Sequence, residues 1–115
     1  EAESRLEKSD TYIKLHKKAD VGILLTDQDW QLLNVLVIDM LPVFHQLISS
    51  NKHALTRHEY EACILFRLHV KPSPISQLMG ISPYMVTRIS KTLLVKLFNE
   101  NGGKRELIAL LDQYS

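Results

Sequence analysis

The chain has 115 residues, 45% hydrophobic and 23% charged, with a net charge of +1. That length suits one domain with a single core, and that balance suits a soluble globular protein. Within these residues no transmembrane helix, signal peptide or internal disulfide framework is expected: the longest apolar stretch is broken by Asp39 and Pro42, the first twenty residues are charged throughout, and Cys63 is the only cysteine.

Taken in chain order, every element reads as helix, because no run alternates apolar and polar residues. Residues 2–19 form a polar helix with a thin stripe of Leu6, Tyr12, Ile13, Leu15 and Ala19. It is either the end of a coiled coil or a helix folded back on its own domain. Gly22 breaks it. Thr26 with Asp29 then approximates a capping box, and Trp30, Leu33, Val37, Met40 and Leu41 give the next helix one apolar face. Pro42 ends or kinks that helix, and a short one restarts through His45 to Ile48. Ser49, Ser50 and Asn51 read as a loop.

Thr56 with Glu59 caps a helix bearing Tyr60, Cys63, Ile64, Phe66 and Leu68, which ends near His69. Ser73 is the expected cap of a very short helix, with Pro74 at its first position. Gly80 stops it and Ser82 caps a long helix running from Pro83 to Phe98. A break at Asn101, Gly102 and Gly103 precedes a last helix over 104–113.

Two helices joined by a short turn containing Gly are the requirement for a helix-turn-helix, and residues 79–82 supply that turn. Ile81 plugs the angle, with Ile75, Val86 and Ile89 as the shared core. Val86, Ile89, Leu93 and Leu97 face inward on the long helix. Helical geometry then turns Tyr84, Thr87, Arg88 and Lys91 outward, where they are candidates for base edges. Lys71, Ser73, Ser82 and Arg57 are candidate phosphate contacts, a role also open to Lys91, and Lys52 extends the basic track.

Charge distribution agrees with that placement. Residues 1–50 carry net −3, residues 51–98 net +5 and residues 99–115 net −1. A local positive field suits a phosphate backbone.

Residues 55–98 resemble the LuxR-type (GerE-like) helix-turn-helix. Leu55-Thr56-Arg57-His58-Glu59 stands for the family's opening Leu-Thr-x-Arg-Glu. Met79-Gly80-Ile81-Ser82 stands for its Leu-x-Ile-Ser turn, and Lys96-Leu97-Phe98 for its terminal Lys-Leu-Gly. Met85, Thr87, Ile89 and Thr92 replace the usual Thr, Lys, His and Asn, so the hydrophobic skeleton matches better than the polar signature. Thr26 to Trp30, Pro42 with Phe44, Cys63-Ile64-Leu65 and Asn101-Gly102 extend the likeness to C-terminal regions of Bacteroidetes regulatory proteins. The resemblance implies an all-α fold with a LuxR-type, winged-helix-superfamily-type tri-helical core and an N-terminal helical extension. It divides the chain into 1–25, an N-terminal helix or linker; 26–51, a supporting helical pair; and 52–115, the DNA-binding unit. It implies a transcription regulator that binds double-stranded DNA as a homodimer. The chain opens on Glu1 rather than Met, so it is expected to be the output end of a longer protein. The expected compartment is the cytoplasm, with the full-length protein tethered to a membrane if its upstream part resembles those regulators, and no membrane contact by these residues.

Two alternatives stay open. One is an interaction or dimerisation module that keeps the fold without DNA binding, with Leu6 and Ile13 as its surface. The other is a domain like region four of a sigma factor, which would also contact RNA polymerase. His53, His58, Cys63 and His69 are too widely spaced for a zinc site. No Gly-rich phosphate loop or nucleophile elbow is present. No catalytic residue, metal or cofactor is expected, and the chain is not expected to be an enzyme.

Overall fold

A computed structural model describes residues 2–115, and the described residues are all-helical, with no strand. The first segment is two helices, not the single one expected over 2–19. Helix α1 spans Ala2–Glu7 and α2 spans Asp10–Val21. Ser9 divides them: its extended backbone and hydroxyl, which accepts from Tyr12 N–H at 3.3 Å, make it an N-cap followed by an acid in the first turn. The coiled-coil reading is set aside by packing. Leu6 and Leu15 are buried in the core, so the segment folds back on its own domain.

Gly22 closes α2 in the left-handed conformation at φ 72°. The Thr26–Asp29 capping box is present at the start of α3, Asp27–Met40. Its buried positions are Leu33, Leu36 and Val37, with Leu41 buried just beyond, while Trp30 and Met40 are only half-buried. Helix α4, Pro42–Ser50, begins at the proline itself and is longer than expected at both ends. Pro42 lacks only an N–H that no helical carbonyl would have met. Ser49 and Ser50 stay helical by donating their hydroxyls to Gln46 O and Leu47 O in the preceding turn. No side chain caps α4. Instead the backbone oxygen of Ser115 accepts from Val43 N–H at 2.7 Å and Phe44 N–H at 3.3 Å.

A 3-10 turn over Lys52–Ala54 leads to α5, Arg57–Arg67, with the expected Thr56–Glu59 capping box. Helix α6 spans Pro72–Met79. Its start corrects the expected cap: Lys71 holds the cap position, Pro72 opens the helix, and Ser73 lies inside the first turn. The preference of Pro for the first helical position is met by Pro72 instead of Pro74. Helix α7 is Pro83–Phe98 and α8 is Lys104–Leu111, two residues shorter than expected.

Helix α3 packs on α1, α2 and α4, and α7 packs on α5, α6 and α8; α2 against α6 joins the two sets. The apolar core is continuous from Leu6 to Leu111. No single helix among the described residues is long and apolar enough to cross a membrane, and α3 and α4 meet at a bend of 117°.

Candidate nucleic-acid interface

The site is built on α7 and the turn that aims it. Gly80 adopts φ 68°, and Ile81 N–H returns to Ser76 O at 3.0 Å, so α6 is closed and α7 begins only three residues on. A side chain at Gly80 would have to adopt the left-handed region, and its Cβ would lie 3.0 Å from Leu24 Cδ1. Ser82 then caps α7 by accepting from Met85 N–H at 3.1 Å.

One face of α7 is fixed by packing. Val86, Ile89, Ser90, Leu93 and Leu94 are buried, whereas Leu97 is only half-buried. Leu94 is fully buried on this helix, on which α5, α6 and α8 all pack. The opposite face is open. Tyr84, Arg88, Lys91 and Val95, spaced one turn apart, form an exposed stripe, with Tyr84 71% accessible. Arg88 lines a groove with Thr56, Arg57, His58, Met85 and Thr92, between the start of α5 and α7.

Thr87 stands at the edge of that stripe and is half-buried. Its hydroxyl donates to Pro83 O at 3.2 Å and accepts from Lys104 Nζ at 2.9 Å. Its polar capacity is therefore largely committed inside the protein, while Tyr84, Arg88 and Lys91 remain uncommitted among the described residues. Ser82 spends its side-chain oxygen on the cap. Lys71 and Ser73 are exposed at the start of α6. Arg57 lies beside the groove, but its guanidinium faces Glu61 at 3.0 Å and Asp27 at 3.6 Å.

The structure also redistributes the basic charge of residues 51–98. Arg67 has no solvent exposure: Nε donates to Tyr114 O at 2.8 Å and its terminal nitrogens to Glu3. Lys96 is bonded to Glu59 Oε1 at 2.8 Å and Ala54 O at 2.7 Å, and Lys52 lies over the Tyr60 ring. Lys71, Arg88 and Lys91 are left without a carboxylate partner among the described residues. Lys104, which the sequence reading did not single out, joins them from α8. Its signal was local: a lysine at the first position of a helix opposes the dipole and needs another reason to be there.

The His and Cys residues fall in unrelated places. His53 and His58 are exposed, while Cys63 is buried in the apolar core, where burial pushes its thiol far above the ordinary range. His69, at φ 69°, lies 3.0 Å from the Tyr12 hydroxyl through Nδ1 and 3.1 Å from Glu3 through Nε2. The Arg67 guanidinium hydrogen-bonded to Glu3 holds that carboxyl below its usual value, outweighing the opposite push of burial.

Comparison of the chain with protein families, with curated proteins and with solved structures finds no match.

Proposed function

We propose that this chain is the DNA-binding part of a transcription regulator, with α6, the turn 80–82 and α7 acting as a LuxR-type helix-turn-helix. The observation that carries the reading is the Tyr84–Arg88–Lys91 stripe. It is open to solvent on a helix whose other face is locked, and it is reached through a tight Gly turn. A helix so held can enter the major groove with its N-terminal half at base edges. Arg88, whose rigid guanidinium fork can present two parallel donors to one base and which has no carboxylate partner among the described residues, is the base reader, and a bidentate contact to guanine gives about 1–3 kcal/mol of discrimination. Lys91 and Lys71 serve the backbone, and a homodimer would present two such helices to a two-fold site.

Fluorescence anisotropy on genomic duplexes across a salt series tests this. Binding should weaken steeply with salt, and Arg88→Ala should lose the preference at one base pair. Absence of binding at any salt, or affinity indifferent to salt, would end the reading.

A second reading, a helical interaction module, is favoured by α3. Leu32, Val35 and Ile38 are about half exposed there, and residues 30–38 carry no charge. Of the expected Leu6 and Ile13, Leu6 is buried and Ile13 is exposed. The double change Arg88→Glu with Lys91→Glu separates the readings: a regulator loses DNA, whereas an interaction module keeps its partner.

A further inference from the structure

Lys104 stands at the first position of α8, directly after the Gly103 cap. Among the described residues no carboxylate answers it. The ion pairs engage Lys14, Lys18, Arg57, Arg67, His69 and Lys96. Glu106, within the same turn, is committed to Gly103 N–H at 2.8 Å. The protein partner of the ammonium is a neutral hydroxyl, Thr87 Oγ1, at 2.9 Å. An ammonium has three donors, so two find no acceptor among the described residues.

We propose that Lys104 is a DNA-backbone ligand, which places the start of α8 on the DNA-contacting surface beside α7; the inference rests on the DNA-binding reading above. An α-helix about 10–12 Å across fills a major groove about 12 Å wide, so a phosphate strand runs along each flank of the inserted helix. The flanks of α7 are occupied differently. One carries the start of α5, with Arg57 and His58. The other is a cleft where Ser73, Tyr84, Thr87 and Lys104 meet. Thr87 holds the Lys104 ammonium at the edge of the exposed stripe before DNA arrives. Binding exchanges a neutral oxygen for a phosphate oxygen, a stronger charge-assisted bond, and releases a counterion. Arg57 cannot play the same part on its own flank without leaving two carboxylates.

The test uses the whole chain and a fluorescein-labelled pool of random-sequence duplexes, with anisotropy read across a salt series. One lost phosphate contact lowers the slope of log affinity against log salt by about 0.9, equivalent to about eightfold in affinity at 0.1 M salt relative to the 1 M reference. Lys104→Ala should show that loss uniformly across sequences, and Lys104→Arg should restore it. An unchanged slope in Lys104→Ala, with Arg88→Ala still weakening binding, overturns the Lys104 role and leaves the DNA reading standing. An equal loss from Arg105→Ala also overturns it, since the effect would then be general charge. A wild-type chain that binds no duplex at any salt overturns both.

Discussion

A guanidinium with no solvent exposure must find its partners inside the protein, and Arg67 finds them in α1 and in the C-terminal tail. Removing one side of such a pair leaves a buried charge unanswered, which costs about 3–5 kcal/mol when nothing compensates. Asp112 at 3.9 Å and the partial exposure of Glu3 soften that figure. Glu3→Gln is therefore expected to lose about 2 kcal/mol in urea unfolding at neutral pH. The pH dependence has a definite sign. The folded-state pKa of Glu3 is depressed below 4.5. Its contribution is present above that unfolded value and is lost as pH falls through the folded one. The stability gap between wild type and Glu3→Gln should shrink as the solution is acidified below pH 4.5 and through the depressed folded-state value. A gap of constant size down to acid denaturation would refute the assignment.

At the scale of elements, the turn and its cap aim α7. Ser82→Ala removes a cap worth about 1 kcal/mol. Gly80→Ala forces a Cβ into the left-handed region at about 1–2 kcal/mol and presses it against Leu24. Thermal unfolding should show both losses. DNA binding should fall further in Gly80→Ala than in Ser82→Ala, because the first changes the direction of α7 and the second only frays its start; equal losses would show that the turn does not set direction. These devices were legible in the sequence because each acts within four residues: Thr26 with Asp29, Thr56 with Glu59, Gly22, Gly80 and Ser82. The misread starts were local too. Ser9 was a cap hidden inside a plausible heptad stripe, and Pro72 competed with Pro74 for one position. What could not be read were the pairings that only folding creates. Arg67 with Glu3 lies 64 residues apart, and Lys104 with Thr87 lies 17 apart. For that reason the basic count of residues 51–98 overstated the field around α7.

Across the whole molecule, the N-terminal helices are structural parts of the unit that carries α7. Leu6, Leu15 and Ala19 belong to the same core as Ile64, Leu93 and Leu107. Burial of one leucine contributes about 1.5–3 kcal/mol, so losing this stripe together with Glu3 removes a large share of the about 5–15 kcal/mol that holds a domain folded. A chain beginning at residue 26 should show reduced helical circular dichroism and no cooperative melt near that of the full chain. A fully folded truncation with unchanged DNA binding would show that 26–115 stands alone. The Arg67 cluster also has a mechanical meaning. Glu3 near one end and Tyr114 near the other are fastened to a single side chain on α5. A pull applied across the two ends is borne first by the bonds of Ser115 to α4 and by that guanidinium on α5, leaving α7 outside the load path. Tension applied across the two ends would thus reach α7 only after the Arg67 clasp and the Ser115 bonds have opened.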